Sequence, residues 1–292
     1  MPQVDVLNSM FIATLYGATP LILAAMGGVL SERAGVVNIA LEGLILTGAF
    51  VAVAAGTASG GIGLCAALFA GAMLGLLHAF LTQRARMDHV VSGLGINLLA
   101  AGVTRYLALR YFPGGIRVEG LQGGLFAAAA VLLPFVVTFV LWRTRFGLRL
   151  RAVGESPESA LMAGIAPAAP RYAAVTLSGM LGALAGAYLS LADAHTFTSN
   201  MSAGKGYIAL AAVIFGKWNP FGAAGGALFF GFFYALQTQL QMSNVHVTFL
   251  GVEWTSPFIL DTLPYVMTLC ALTSVVGRAV PPAALGRDHQ RS

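Results

Sequence analysis

The sequence predicts an all-α polytopic membrane protein, a single domain over residues 1–292 with about 8–10 transmembrane helices. Three observations carry that prediction. Only 9% of the residues are charged and 58% are hydrophobic, whereas soluble domains carry roughly 25% charged residues. Mean hydropathy is +0.81. Stretches such as Ile62 to Leu81 and Ala127 to Trp142 contain no Asp, Glu, Lys or Arg. Runs that are apolar at every position exclude the period-two alternation of a membrane barrel, leaving helices as the way to satisfy the backbone in lipid.

Apolar runs place spans at about 10–30, 37–56, 61–82, 90–111, 124–142, 171–192, 206–216, 223–242 and 258–276. The first follows MPQVDVLNSM, which has neither the positive region nor the small-residue cleavage site of a signal peptide, so it stays as a membrane helix. The second carries Asn38 and Glu42, one helical turn apart and on one face. A carboxylate at membrane depth is a functional candidate by default. Its structural alternative is an acid held by Arg33 or by helix N-terminal amides. Asn38 likewise reads as a ligand contact or as a helix cap. His78, alone in the third span, reads as a hydrogen-bonded packing residue. The fourth span holds Asn97, Thr104 and Arg105 behind Ser92-Gly93-x-Gly95, small residues that allow close helix packing.

Between the fifth and sixth spans lies the longest basic loop, about 143–171. Ser156, Pro157 and Glu158 form a helix start, with a serine cap, proline in the first turn and an acid beside it. Gly164 and Pro167 stop that helix. The seventh span, at roughly 1.5 Å per residue, reaches only about half of a 30 Å hydrocarbon core, so it is a broken or re-entrant segment or it borrows residues from its flanks. Lys205 and Tyr207 flank it. Tyr207 reads as an interfacial anchor or as a pathway residue. Trp218-Asn219-Pro220 reverses the chain into the eighth span, which carries Gln237, Gln239 and Gln241 toward its far end. Cys65 and Cys270 sit in apolar spans as small hydrophobes. No His, Cys or carboxylate cluster of a metal or catalytic centre stands out.

The formal charge of +5 reports topology and not a nucleic-acid surface, because the basic residues are scattered between spans. Placing Arg143, Arg145, Arg149, Arg151 and Arg171 in the cytoplasm and alternating from there puts twelve Lys and Arg inside. Arg105, Arg110, Arg117 and Lys205, four in all, stay outside or near the outer face.

Two stretches repeat. Gly35, Ile39-Ala40-Leu41 and Ile45 match Gly204, Ile208-Ala209-Leu210 and Ile214 at equal spacing, and Ala67-Leu68-Phe69 with Gly71 matches Ala227-Leu228-Phe229 with Gly231. An odd number of crossings separates the copies, which makes them an inverted repeat of the kind that frames a midplane pathway in transporters.

LSERAGVVNIALEGLILTGAF (30–50), RAVGESPESALMAGI (151–165), GKGYIALAAVIFGKWNPFGA (204–223) and LPYVMTLCAL (263–272) resemble the permease subunit of bacterial ABC importers. The superfamily is that of branched-chain amino-acid, ribose and nucleoside permeases, and the first motif points to its nucleoside and simple-sugar branch. The resemblance implies a multi-pass subunit of the bacterial cytoplasmic (inner) membrane. Its partners would be a second, longer permease, a cytoplasmic ABC ATPase and an extracytoplasmic solute-binding protein. It also implies a cytoplasmic coupling helix, onto which Arg151, Glu155, Ser156, Pro157, Ala160 and Gly164 fall. The chain has no GxxxxGK[ST] phosphate loop, so ATP and Mg are expected on the partner ATPase and no cofactor or catalytic residue on this chain. Asn38, Glu42, Asn97 and Tyr207 are the candidate substrate-pathway residues. The rival reading is an ion-coupled secondary transporter, although Glu42 is the one clear membrane acid available to it.

Overall fold

The computed structural model describes residues 2–118, 120–242 and 279–287, with positions 248, 249, 252, 253, 262, 266 and 269. The ninth expected span, with Cys270 and the LPYVMTLCAL motif, falls almost wholly outside the described residues.

Six helices among these are long and apolar enough to cross a bilayer. They are α1 (Pro2–Arg33), α3 (Gly60–Gln83), α4 (His89–Tyr111), α5 (Gly123–Arg143), α8 (Ala168–Ala187, continued by a π-helical turn Tyr188–Asp193) and α10 (Pro220–Met242). Two apolar helices are shorter, α2 (Leu41–Gly56) and α9 (Lys205–Phe215). On the basic loop lie α6 (Arg145–Glu155) and the single turn and a half of α7 (Pro157–Met162). A two-residue antiparallel pair, Thr248–Phe249 with Val252–Glu253, is the only sheet among the described residues.

The apolar run predicts a second span from about residue 37, but its helix starts at Leu41. Residues 36–40 are non-helical, and 16 helical residues span only about 24 Å. Both repeat copies therefore contain a short helix.

The basic ends of the helices gather on one side of the bundle. Arg171 Nε donates to Ala34 O at 3.1 Å and its Nη1 to Gln83 Oε1 at 3.0 Å. Arg33 Nε donates to Trp218 O at 2.8 Å. The segment 279–287 lies there too, with Ala284 N donating to Gly154 O and Gly286 N to Gly35 O, both at 3.0 Å. At the opposite end, Val118 N donates to His195 O at 3.4 Å and Thr196 Oγ1 to Ile116 O at 2.7 Å.

With those ends fixed, the repeat becomes three-dimensional. From α1, chain 34–40 re-enters the bundle from the basic end, and α2 then runs to the opposite end, where Gly56 faces Gly63 and Leu191. From α8, chain 194–204 re-enters from that opposite end, and α9 runs to the basic end. Each re-entry turns on a left-handed glycine, Gly35 at φ +89° and Gly204 at φ +78°, where an L side chain would be strained. The matched glycines of the third element also act alike: Gly71 brings α3 against the α8 backbone at Gly179, and Gly231 brings α10 against Ala18 of α1. Small residues at such crossings let helix backbones approach where lipid supplies no hydrophobic drive.

Candidate functional site

At the centre, the N-terminus of α2 meets the N-terminus of α9. The contact is close enough that a Cβ on Gly206 would strike the Glu42 backbone. Glu42 sits in the first turn of α2, and its Oε1 accepts Gly204 N–H at 2.8 Å while Oε2 accepts Gly206 N–H at 2.7 Å. Each helix N-terminus carries a partial positive charge and unpaired N–H groups, so one buried carboxylate stabilises both.

Asn97 of α4 continues the same network. Its Oδ1 accepts Gly43 N–H at 2.8 Å, and its Nδ2 donates to Ile39 O at 3.0 Å and to Tyr207 Oη at 3.1 Å. Glu42, Asn97 and Tyr207 thus converge, as three of the four residues expected on the pathway. Their polar atoms are spent largely on re-entrant backbone, which makes Glu42 and Asn97 holders of the broken helices. Tyr207 keeps 44% of its surface exposed. Asn38 stands outside that network. Its Nδ2 donates to Ser178 Oγ at 2.8 Å, and its buried Oδ1 has no partner. His78 is fully buried between Ser92 Oγ (2.9 Å) and Val37 O (3.1 Å).

The second cluster lies at the basic end. Ser156 Oγ accepts Ser159 N–H at 3.3 Å and so caps α7, Pro157 occupies its first turn, and Gly164 at φ +77° ends it. Glu155 Oε2 accepts Ala283 N–H at 3.2 Å, tying the loop to segment 279–287. Arg151 Nε donates to Leu141 O at 3.1 Å, and its guanidinium lies 5.4 Å from the Trp142 ring centre. Arg33 lies over the same ring at 5.7 Å. Trp218 Nε1 donates to the buried Glu32 carboxylate. Residues 217 and 218 are consecutive left-handed, non-glycine positions, a strained turn that these bonds hold.

Ala160, expected on the coupling helix, lies on α7 with its side chain buried at 3% exposure. The outward positions are Glu158, Ser159, Leu161 at 61% and Met162 at 91% exposure.

Several site residues lacked notice in the sequence. Glu32 and Asp193 sit at the ends of apolar spans, and the membrane-acid argument used for Glu42 would have flagged both. Nothing local marks Ser178 or Trp142.

Comparison with known proteins adds lineage to this geometry. The family described as the permease component of branched-chain amino acid transport systems matches residues 10–272. The guanosine ABC transporter permease protein NupQ of Bacillus subtilis is 38% identical over 98% of this chain and 98% of its own length. The nucleoside ABC transporter permease protein NupC of Lactococcus lactis is 35% identical over the whole of both chains. TsgC13 of Haloferax volcanii, named provisionally as a glucose ABC transporter permease, is 34% identical over 94% and 95%. No solved structure matches the chain.

Proposed function

The chain belongs to the family of permease components of branched-chain amino acid transport systems, and from that premise we propose that it is a membrane-spanning subunit of an ATP-driven importer of nucleosides or simple sugars. Nucleosides come first, because the relatives at 38% and 35% identity, each covered over 98% or more of both chains, carry a guanosine and a nucleoside name. The assembly in this reading lies in the bacterial cytoplasmic membrane. It pairs this chain with a longer second permease, cytoplasmic ATPases that bind ATP and Mg, and an extracytoplasmic binding protein.

One structural observation carries the coupling part. At the basic end, capped helix α7 presents Leu161 and Met162 outward, large apolar side chains left 61% and 91% exposed. The gathering of arginines there supports a cytoplasmic placement by the positive-inside tendency. An ATPase surface that covers α7 could move it as a unit. Arg151, Trp142, Arg33 and Trp218 form a contiguous contact route from α6 to the turn after α9, and Glu42 links α9 to α2. ATP-driven closure of the ATPases would then shift the two half-helices and change the side on which the pathway opens.

The ion-coupled alternative needs an acid free to exchange its ligand. Glu42 has both oxygens committed to backbone N–H groups, which favours the ATP-driven reading. The test is uptake of labelled nucleoside and of glucose into proteoliposomes containing this chain, its partner permease, the ATPase and the binding protein. Uptake that requires ATP and ignores proton and sodium gradients is expected; uptake driven by a gradient without ATP would overturn the proposal.

A further inference from the structure

We infer that a cleft in the outer half of the bundle, between α1, the π-helical turn and α10, is a binding subsite for the heterocyclic base of a nucleoside. This rests on the nucleoside reading above and adds the place and the chemistry. The cleft has a volume of about 150 Å³ and is lined by Tyr16, Tyr188, Asp193, Lys205, Tyr234 and Thr238. It lies well away from the basic end. Tyr16 is 17 residues before Arg33, about 26 Å along the helix, and Lys205 begins the half-helix that ends at that basic end.

Four independent features coincide there. The first is charge: Asp193 and Lys205 are opposite charges lining one membrane cleft, and intramembrane charges normally pair with one another or mark a polar pathway. The second is aromatic surface. Tyr16 and Tyr234 leave 39% and 40% of their surfaces open, while Tyr188 is buried beneath them and donates its hydroxyl to Tyr16 O at 3.0 Å. Tyrosines at an interface can serve as lipid anchors, but anchoring does not account for an ammonium 5.1 Å from the Tyr234 ring centre.

The third is backbone. Tyr188–Asp193 is a π-helical turn, a rare form that occurs mostly as single-turn insertions in α-helices and frequently at functional sites. The fourth is strain: His195, Asn200 and Ala203 adopt positive φ in the chain joining that turn to Lys205. The turn ends at Asp193 and this chain leads into Lys205, and both residues line the cleft.

Its size suits one ring. Pockets for drug-sized ligands run to about 300–1,000 Å³, so a cleft this small takes part of a two-ring solute and leaves the rest outside it. A carboxylate that accepts and an ammonium that donates, beside aromatic faces, match the edge and face of a base. A free pentose offers hydroxyls but no flat face.

The experiment uses the complete transporter in nanodiscs without binding protein, photolabelled with an azido-purine nucleoside, with nucleoside uptake measured in parallel proteoliposomes. Label is expected on peptides containing Tyr16 or Tyr234, competed by free base and not by ribose. It should fall about tenfold in Asp193→Asn, in line with loss of one hydrogen bond to a charged group, and less in Thr238→Val, both with unchanged membrane yield and co-purification of the ATPase. Label on peptides around Asn97 and Tyr207 alone, label insensitive to both substitutions, or competition by ribose alone would overturn the subsite while nucleoside uptake upholds the transporter reading. Absence of nucleoside uptake by the unaltered assembly would remove the nucleoside reading and the subsite with it.

Discussion

Glu42 joins two helices that are 162 residues apart in the chain: its carboxylate accepts Gly204 N–H at 2.8 Å and Gly206 N–H at 2.7 Å, so the starts of α2 and α9 share one counter-charge. Neither half-helix spans the bilayer alone, and each leaves its first N–H groups inside the bundle. The carboxylate is what makes that arrangement tolerable in a dry interior.

Glu42→Gln keeps one acceptor and turns an amide donor toward the second N–H. With hydrogen bonds to charged groups worth about 1.5–3 kcal/mol, the purified permease should melt at lower temperature in detergent, followed by tryptophan fluorescence. Uptake and ATPase assembly should fall in proportion to folded protein. Folded, assembled protein without uptake would instead put the acid on the solute's route.

Gly206→Ala should abolish accumulation of folded permease, because the added Cβ meets the Glu42 backbone and neither element can retreat. Gly225→Ala is the matched control. Nothing lies within 4 Å of its added methyl, and membrane yield should stay at the native level.

Asn97→Ala leaves Gly43 N–H and Ile39 O without their side-chain partner, whereas Tyr207→Phe removes only an acceptor from Asn97. Interhelical hydrogen bonds in membranes average about 0.6 kcal/mol and reach about 1.7. Melting temperatures should therefore rank native, Tyr207→Phe, Asn97→Ala; equal losses would remove the network from the account.

Met162→Glu and Leu161→Glu change exposed side chains on α7 and should leave folding intact while the ATPase is lost on co-purification. Ala160→Arg pushes a charge into a buried position and should reduce the permease itself. An ATPase retained by both glutamate variants would move the docking surface away from α7.

Trp142→Leu removes the ring under both Arg33 and Arg151, contacts worth about 0.5–2 kcal/mol each. The ATPase should still assemble, but more ATP should be hydrolysed per solute moved. An unchanged ratio would mean that motion reaches α9 by another route.

Much of this was legible in one dimension because the bilayer imposes simple rules. Apolar runs long enough to cross it gave α3, α4, α5, α8 and α10 to within about three residues at their starts, whereas α1 begins at Pro2, eight residues before its expected span, and the short run at 206–216 already pointed to a broken helix. The α7 cap was equally plain, since serine, proline and an acid act within one turn. The start of α2 was misplaced. Residues 37–40 are apolar enough to pass as helix, but the chain turns at Gly35 and through residues 39 and 40 before α2 begins at Leu41. Which face of α7 is covered was not legible either, because a helix of six residues has too short a pattern to show it; burial of Ala160 emerges only from the packing.

By itself, then, the sequence determined the membrane class, the spans, the basic face and the lineage, all of which depend on residue type and local spacing. Only the tertiary structure decided that Glu42 is a shared cap, that Trp142 holds two arginines, and that Tyr16, Asp193 and Tyr234 border one cleft. Those relationships join residues far apart in the chain, and the helix crossings at Gly71, Gly206 and Gly231 fix which of them can touch.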